Sequence, residues 1–542
     1  MTHEPYPTAQ PAIVTVGLPY ANGPLHIGHL RGYITGDVFV RAFRKLGQQT
    51  LFISGSDLHG TPVAINAAQE GQDPKSYAIA WHREYEQTFP KFNIEFDYYG
   101  HTHEPANREL TEEFVRTWDA AGLIFEETID VAWDPERDRP LPDRFVEGTC
   151  PYCGADARGD ECDEGCQRHL EPGEIKNPRS VLTGTPAEFR SRPHKFLRLR
   201  GFEEYLADFL DRLEGTDNAR NQPREWLEQG LRDLCITRDL DWGFPYPGDP
   251  LERVLYVWVD APIEYVAATK AYATAVDGRF DWLNVWKEGN AEIIHVIGKD
   301  IIQHHTVFWP AMLRGAGYTD PRAVCATGFV TFDGRGLSTS RGHAVWAADY
   351  LDTDHHPDLL RYYLLTESNI QRDLDFTWER FTERVNTELI GHLGNFVHRS
   401  LLFAHRHWGG TPSAEPSDIV TSEIQSAVDA FEHAVNAYDS KRLGEIPVEV
   451  ARFGNRYIQR REPWMVIEED ETHAAQTLRD CVQLSKAIAV LFEPIAPAKA
   501  ERIWSILNET APLEEKTLSA AQQAPARSFS SPEEVFEPIP SY

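Results

Sequence analysis

Several features that define other protein classes are scarce or absent in this chain of 542 residues. No run of 18 apolar residues occurs, which argues against a membrane-spanning helix. The N-terminus has no basic segment followed by an apolar one, so the sequence predicts a cytoplasmic rather than a secreted protein. Seven cysteines are too few for a disulfide scaffold. The 14 Trp, 20 Tyr and 27 Phe residues argue against disorder, and the length predicts about three to five domains.

Positive charge is also scarce, and lysine most of all. The chain has 84 acidic and 53 basic residues, a net charge of −31, and only 12 of the basic residues are lysines. Such a composition suits a salt-loaded cytoplasm, in which carboxylates bind hydrated cations. A general bias of a GC-rich genome is the alternative. The acidity disfavours a non-specific nucleic-acid binder, although arginines can still form a local site.

The hydrophobic pattern of the N-terminal region predicts a doubly wound α/β domain. An apolar strand over Ala12–Leu18 is broken by Pro19 and Gly23, and a helical pattern starts at His29. Alternation of strand, glycine-bearing loop and helix is typical of folds that bind ligands at the carboxyl ends of their strands. Further strands are expected at Gln49–Ser54, Val254–Val259, Ile293–Ile297 and Val324–Phe332. The segment of about 120–250 differs in composition and is expected to be an insertion.

After Trp346 the pattern becomes helical, with apolar residues spaced near 3.6. This predicts an all-α bundle. Examples of the expected helices are Pro357–Leu365, Trp378–Ala404, Ile419–Phe453 and Thr472–Leu491. The polar, proline-rich stretch from Ala520 is expected to be an arm packed along the surface or a loose tail.

The first motif lies between the first strand and the first helix and reads P-Y-A-N-G-P-L-H-I-G-H, from Pro19 to His29. Free N–H groups at a helix start favour a polyphosphate. His26 and His29 can donate hydrogen bonds to phosphate oxygens, and Gly28 allows a nucleotide to approach the backbone. For the two histidines alone, structural histidines or an adventitious metal pair are alternatives.

The second motif is a cluster of four cysteines, Cys150, Cys153, Cys162 and Cys166. Two closely spaced pairs predict a tetrahedral zinc site, and a closed set of four thiolates indicates a structural role. The spacing of the second pair is one residue longer than usual, so His169 is a reserve ligand.

Further motifs follow in order along the chain, at Ser56–Pro62, Ile236–Leu240, Tyr256–Pro262, Gly298–Asp300 and Asn455–Ile458, the last followed by Pro463-Trp464. Over roughly residues 12–510 the whole set resembles the methionyl group of the class I aminoacyl-tRNA synthetases, in an archaeal, halophile-like form without an appended C-terminal domain. The resemblance implies ATP-dependent ligation of L-methionine to tRNA(Met) through methionyl-adenylate, with release of AMP and pyrophosphate. It also implies Mg²⁺ and one structural Zn²⁺.

The fold class implied is α/β: a class I Rossmann-like doubly wound catalytic domain with an inserted zinc-knuckle connective domain, followed by an all-α anticodon-binding bundle. The expected boundaries are 1–118 and 236–323 for the two catalytic halves, 119–235 for the insertion with its knuckle at about 145–172, 324–388 for a linking fold that contacts the tRNA stem, 389–515 for the bundle and 516–542 for the arm.

The resemblance also assigns site residues. The catalytic residues would be His26, His29, Arg238 and Lys299. ATP would contact Gly28, Gly298, Asp300, Val330, Ser338, Thr339 and Ser340. An apolar slot with a carboxylate for the ammonium group would be formed by Leu18, Tyr20, Asp57, Trp258, Ala261, Pro262, Tyr265, Ile301 and His305. The anticodon would meet Asn395, Arg399, Pro463 and Trp464. Taken singly, Trp258, Tyr265 and Trp464 would be read as core aromatics.

Two departures from the family pattern stand out. Gly336 and Thr339 occupy both lysine positions of the mobile signature loop, here Asp333–Gly342, and His304 replaces an aromatic residue beside the methionine site. They leave two alternatives open: a paralogue that activates an amino acid for another acceptor, and a non-catalytic zinc-bearing RNA-binding protein. Because the chain ends soon after the bundle, a monomer assisted by a separate tRNA-binding protein is expected.

Overall fold

The computed structural model describes residues 3–162, 165–166, 168–337 and 342–540. Within these residues no helix is long and apolar enough to cross a membrane. The first part alternates strands and helices: β1 (Ala12–Val16), α1 (Ile27–Lys45), β2 (Thr50–Ser56), α2 (Thr61–Gln69), α3 (Pro74–Thr88), β3 (Tyr98–His101) and α4 (Pro105–Ala120).

The next segment consists mainly of antiparallel strands. Its two long strands, β4 (Ile124–Asp134) and β9 (Glu188–Leu197), pair over nearly their whole length. A separate small sheet is formed by β6 (Val146–Thr149), β7 (Asp156–Arg158) and β8 (Lys176–Ser180). The elements are β4 (Ile124–Asp134), β5 (Arg139–Pro140), β6 (Val146–Thr149), β7 (Asp156–Arg158), β8 (Lys176–Ser180), β9 (Glu188–Leu197), α5 (Glu203–Arg212), β10 (Glu214–Gly215), α6 (Asp217–Glu228) and β11 (Leu234–Cys235).

The α/β pattern then resumes with β12 (Thr237–Arg238), β13 (Val254–Leu255), α7 (Val257–Ala275), α8 (Trp282–Trp286), β14 (Glu292–Gly298), a π-helical turn (His304–Phe308), α9 (Trp309–Ala316) and β15 (Ala323–Thr327). The expected strand over Val254–Val259 is wrong beyond Leu255, because α7 begins at Val257. The first half of α7 is buried on nearly every side, and a short apolar run does not distinguish a buried strand from a buried helix.

The main sheet is parallel, with the order β10-β15-β14-β1-β2-β3. β1 lies between β2 and β14, so the strand order reverses at β1. In doubly wound folds, ligands bind beyond the carboxyl ends of the strands at this reversal. β10, from the antiparallel segment, adds the edge strand.

The remainder is mostly helical. The expected strand Val324–Phe332 is divided between β15 and β16, which belong to different sheets. The single helix expected over Ile419–Phe453 is two helices, α14 and α15. The elements are β16 (Val330–Phe332), β17 (Arg335–Gly336), α10 (Ala347–Leu351), α11 (Pro357–Thr366), β18 (Leu374–Phe376), α12 (Trp378–Arg384), a π-helical segment (Val385–Gly394), α13 (Asn395–Trp408), α14 (Asp418–Asn436), α15 (Ser440–Arg461), α16 (Pro463–Val466), α17 (Glu471–Phe492) and α18 (Pro497–Ile506).

α17 is the central helix of this bundle, because every side chain from 477 to 492 is buried. The C-terminal segment is a packed arm rather than a loose tail: Phe529, Val535, Phe536 and Ile539 are buried in the same core.

Candidate active site and its connections

A cavity of about 510 Å³ opens at the carboxyl ends of β1 and β14, where the sheet order reverses. Most of the residues expected for methionine and ATP lie in its wall: Leu18, Tyr20, His26, Gly28, His29, Asp57, Trp258, Ala261, Pro262, Tyr265, Gly298, Asp300, Ile301, His305 and Val330. Residues separated by up to 312 positions in the sequence therefore meet in one place.

His26 and His29 meet at the start of α1, with their rings stacked at a centroid distance of 3.8 Å. The Nδ1 atom of His26 accepts hydrogen bonds from the backbone N–H groups of Gly28 and His29, at 3.1 and 3.4 Å, and His29 Nδ1 accepts from the N–H of His26 at 3.2 Å. A ring whose Nδ1 is an acceptor carries its proton on Nε2. Burial lowers the pKa of His26 to about 4 and that of His29 well below its usual value. Both are therefore neutral at pH 7, each with one Nε2–H donor.

Gly28 must be glycine for a steric reason. A Cβ at this position would lie 2.9 Å from His26 Cε1 and 3.0 Å from Leu337 Cδ1. A side chain would therefore displace the capping histidine and narrow the cavity at the start of α1.

The apolar part of the cavity is a slot between α7 and the segment after β14. Trp258, Ala261 and Tyr265 come from the first turns of α7. His305 Nδ1 is 3.1 Å from the carbonyl oxygen of Ile301, and His305 Nε2 is 2.9 Å from the hydroxyl of Tyr265. Burial lowers the pKa of His305 to about 4, so it is neutral and donates to Ile301 while Tyr265 donates to it. Both polar side chains are satisfied within the wall, which leaves an apolar surface.

Asp57 is the carboxylate in the wall of this cavity that could face an ammonium group. Its Oδ1 accepts the backbone N–H of His59 at 3.0 Å and the hydroxyl of Thr102 at 3.4 Å. Burial, and then the charge of Asp260, raise the pKa of Asp57 well above its usual value. A bound ammonium group would favour the ionised form and reverse this effect.

A buried chain of hydrogen-bonded polar side chains lies next to Asp57. The sequence analysis did not predict it. His59 Nδ1 is 2.5 Å from Asp260 Oδ2, and His59 Nε2 is 2.9 Å from His103 Nδ1. No motif carries this signal in full, because His103 lies two residues beyond β3, a strand that the sequence pattern did not identify.

Positive side chains surround the cavity rather than line it: among the described lining residues there is no lysine or arginine. Lys299 lies at the rim, where its Nζ is 2.7 and 3.0 Å from the two carboxylate oxygens of Asp373, a lining residue. Arg238 lies outside the described cavity wall. It is buried, donates to Asp143 Oδ1 at 2.6 Å, and its guanidinium carbon is 3.8 Å from the centre of the Tyr256 ring.

The signature loop is described only at its two ends. Gly336 and Leu337 line the cavity, whereas the expected ATP ligands Ser338, Thr339 and Ser340, and Arg341, lie outside the described residues. The sequence also failed to indicate Thr327, Gly328, Phe329, Thr331 and Asp373 as wall residues. Thr327 is the last residue of β15 and Gly328 follows it, so the rule that ligands bind beyond strand ends would have indicated both residues.

The four cysteines converge in the small sheet region. Their Sγ atoms all lie within 4.8 Å of one another, with Cys150 and Cys166 at 3.8 Å and Cys153 and Cys162 at 3.5 Å. A tetrahedral zinc with bonds of about 2.3 Å places its sulfur ligands about 3.8 Å apart, so the donor set fits zinc. A Cβ on Gly165 would lie 2.6 Å from Cys153 Sγ, so this turn requires glycine.

His169 is not part of the cysteine cluster in the described structure, so its reserve role is not needed. Its Nε2 is 3.2 Å from Glu171 Oε1, and its backbone N–H donates to Gln303 Oε1 at 3.2 Å. Its ring packs edge-to-face on His304 and Phe308. The His304 ring in turn stacks on the Trp258 ring, with 3.7 Å between the two ring centroids. It therefore makes the kind of ring contact that an aromatic residue would make at this position.

The four residues expected to meet the anticodon come together at one end of the bundle. Asn395 and Arg399 are exposed one turn apart on α13, and Pro463 and Trp464 begin α16. The Arg399 guanidinium carbon is 5.8 Å from the centre of the Trp464 ring. Trp464 is half-buried and the neighbouring Met465 is 69% exposed.

Comparison with known proteins identifies relatives along the whole chain. The model of "tRNA synthetases class I (M)" matches residues 12–401, and that of "Anticodon binding domain of methionyl tRNA ligase" matches residues 408–541. The methionine–tRNA ligases of Haloarcula marismortui and Natronomonas pharaonis are each 59% identical, over 99% of this chain and 78% and 79% of theirs. The Mycobacterium tuberculosis methionyl-tRNA synthetase solved with methionyl-adenylate superposes with a TM-score of 0.79 at 27% identity, over 97% of this chain and 99% of that one.

Proposed function

The chain belongs to the class I tRNA synthetases of the methionyl group, and we propose that it ligates L-methionine to tRNA(Met) with ATP. The proposal depends mainly on the cavity beyond β1, where the strand order of the sheet reverses. It combines paired histidines at a helix start, a buried carboxylate and an apolar slot. These groups suit ATP phosphates, an ammonium group and the methionine side chain respectively.

In the proposed first step, a carboxylate oxygen of methionine attacks the α-phosphorus of ATP in line. A bond forms between them, the bond from that phosphorus to the bridging oxygen breaks, and pyrophosphate leaves. The protein needs no covalent nucleophile, because positioning and charge stabilisation suffice. Asp57 and Tyr20 orient the amino acid, the Nε2–H groups of His26 and His29 donate to phosphate oxygens, and Asp300 reaches the ribose.

In the second step, the terminal ribose hydroxyl of tRNA attacks the carbonyl carbon of the adenylate. An ester bond forms, the bond from that carbon to the phosphate oxygen breaks, and AMP leaves with that oxygen while the hydroxyl proton passes to the leaving phosphate or to solvent. Selection of the tRNA is assigned to Asn395, Arg399, Pro463 and Trp464. Trp464 supplies a face on which an unpaired base can stack, and the Arg399 guanidinium lies 5.8 Å from the centre of its ring. Arg238 lies outside the cavity wall, where its guanidinium packs on the Tyr256 ring, so its proposed role is to position that ring rather than to contact the reacting atoms.

Two metals complete the proposal. Zn²⁺ is held by Cys150, Cys153, Cys162 and Cys166 and supplies a closed structural centre. Mg²⁺ accompanies ATP and neutralises phosphate charge. We also propose that the domains divide at 118/119, 235/236, 323/324, 388/389 and 515/516, and that the protein is cytoplasmic. We further propose that it is a monomer, which sedimentation of the purified protein tests.

The experiment that tests the activation step is ATP–pyrophosphate exchange with each of the twenty amino acids, at low and at molar KCl. The proposal expects exchange with methionine alone. Exchange with a different amino acid would instead favour a paralogue, and absence of exchange from a folded, zinc-loaded sample would contradict the ligase assignment.

A further inference from the structure

Glu264 is a buried carboxyl group for which the described residues supply no hydrogen-bond partner. It lies on α7, the helix that also carries Trp258 and Tyr265 of the apolar slot, and it is fully buried. Neither of its carboxyl oxygens, Oε1 and Oε2, makes a hydrogen bond within the described structure. A buried polar group without a partner is costly and a buried charge costs more, so this position indicates a bound group.

The charges around Glu264 are negative. A Cβ placed on Gly100, in β3, would collide with Glu264 Oε1 and would lie 3.3 Å from Glu104 Oε1. Glycine therefore leaves room where these two carboxyl groups approach each other. Burial, and then the charges of Glu104, Asp260 and Asp57, raise the pKa of Glu264 well above its usual value. A bound positive charge would relieve this repulsion.

Further oxygen atoms without partners lie where α4 packs on α7. The two helices meet at Asn107, whose Nδ2 donates to the carbonyl oxygen of Asp260 at 3.2 Å. Asn107 Oδ1 and Thr111 Oγ1, one turn apart on α4, are buried and make no hydrogen bond to a described residue. The same holds for Asp260 Oδ1, one turn before Glu264 on α7. Carboxyl, amide and hydroxyl oxygens are the ligands that hard cations take in proteins, so this region indicates a cation.

A monovalent ion fits the region better than a divalent one. Mg²⁺ gives up its waters reluctantly, whereas Glu264, Asp260 and Asn107 are all fully buried. Among the described residues, three or more acidic, histidine or cysteine ligand atoms converge only at the four cysteines. A site at Glu264 therefore has at most two charged side chains and completes its ligand shell with neutral oxygens.

We propose that Glu264 and Glu104 bind a dehydrated monovalent metal ion, of the size class of Na⁺ and K⁺, between β3 and the helices α4 and α7. Asp260, Asn107 and Thr111 offer further oxygen ligands in this region. The acidic composition suits a salt-loaded cytoplasm, in which ions of this class are abundant.

The ion acts on the amino-acid site through Asp57, which is one of the three negative charges that act on Glu264. Its positive charge offsets that of Glu264 and so favours the ionised Asp57 carboxylate that the proposed ammonium contact requires. This consequence rests on the proposed function, whereas binding of the ion does not.

The direct test of binding is a crystal of the full chain soaked in thallium(I) nitrate, because Tl⁺ replaces K⁺ and scatters anomalously. We expect an anomalous peak between Glu264 and Glu104. In solution, melting temperatures are compared in KCl and in choline chloride of equal ionic strength, so that screening is the same and choline is too large to enter. The melting temperature of wild type should be higher in KCl, and this difference should shrink in the isosteric variant Glu264→Gln.

The test of the link to Asp57 is the KM for methionine in pyrophosphate exchange in the same two salts. In wild type we expect this KM to be about threefold to tenfold lower in KCl, which corresponds to a shift of up to about one unit in the pKa of Asp57. In Glu264→Gln the KM should be the same in both salts.

The matched control is Asp249→Asn, which changes another buried carboxylate. Asp249 has its own cation, because its Oδ2 lies 2.8 Å from Arg253 Nε. This variant should melt at a lower temperature in both salts and keep the wild-type difference between them. If Glu264→Gln does not fold, Glu104→Gln takes its place with the same expectation, because it keeps an oxygen acceptor for the hydroxyl of Tyr98.

A soaked crystal without an anomalous peak at Glu264, or an effect of KCl that Glu264→Gln keeps in full, would overturn the cation site. A larger rise of the melting temperature in CaCl₂ than in KCl, lost in Glu264→Gln, would overturn it in favour of a divalent ion. A peak at Glu264 with a KM that is the same in both salts would overturn the link to Asp57. Failure of the proposed function would appear instead as absence of methionine-dependent exchange in every salt, with the peak retained.

Discussion

At the scale of single residues, the charge of Asp57 controls the proposed methionine site. Burial and Asp260 raise its pKa, and only the ionised form attracts an ammonium group. The KM for methionine should therefore fall as pH rises through the raised pKa of Asp57. Asp57→Asn should raise that KM by roughly tenfold to a hundredfold, the value of a charged hydrogen bond of about 1.5–3 kcal/mol, and should abolish its pH dependence.

The measurement is the KM for methionine in pyrophosphate exchange across neutral pH, with the KM for ATP as the internal control. An Asp57→Asn variant with the wild-type pH profile would show that another group binds the ammonium.

We propose that Lys299 takes over the role of the lysines that the signature loop lacks. It is held at the rim by Asp373, and both side chains are partly exposed, so the pair is worth at most about 1 kcal/mol and is easily exchanged for a phosphate. Lys299→Met should lower the rate of pyrophosphate exchange by roughly a hundredfold, because a preorganised cation on the leaving group is lost.

Asp373→Asn is the control for this substitution, since it keeps the lysine and removes its competitor. It should leave the exchange rate within about threefold. A Lys299→Met variant as fast as wild type would move the role to Arg335 and Arg341, the two arginines of the signature loop.

At the scale of elements, the cysteine cluster supports the methionine slot through His169. This residue follows the cluster in sequence and packs against His304, which stacks on Trp258. Cys162→Ser should therefore release the metal and raise the KM for methionine severalfold, while the α/β core stays folded because the cluster has its own small core.

Metal content by elemental analysis and the KM for methionine test this expectation, with Cys481→Ala as a control that should retain one zinc per chain. Zinc bound at full occupancy by Cys162→Ser would contradict the four-cysteine centre.

The elements also show what periodicity can and cannot predict. β1, β2, β14 and α17 lie where the sequence placed them, within a few residues, because each combines a clear apolar run or helical period with glycine, proline or polar breaks. The prediction of a strand over Val254–Val259 was wrong because a helix that is buried on nearly all sides shows no alternation of apolar and polar faces in its sequence. The family motifs placed most of the cavity wall, whereas Asp373 and the Asp260–His59–His103 chain depend on tertiary contacts between distant segments, which spacing does not encode.

At the scale of the whole molecule, the net charge of −31 makes self-repulsion a major cost of the folded state. Salt at about 1 M reduces the screening length to about 3 Å and should remove most of that cost. The melting temperature should therefore rise steeply as KCl increases from about 0.1 M to above 1 M. A melting temperature independent of KCl would favour the interpretation of the acidity as a compositional bias.

We expect one cavity to activate methionine and the attached bundle to select the tRNA that receives it. The most direct test is charging of tRNA(Met) with labelled methionine by the purified chain, beside the same tRNA with an altered CAU anticodon. We expect stable methionyl ester on the first tRNA and a much slower reaction with the second. Methionine-dependent exchange with no charging of either tRNA would contradict it and identify a different acceptor.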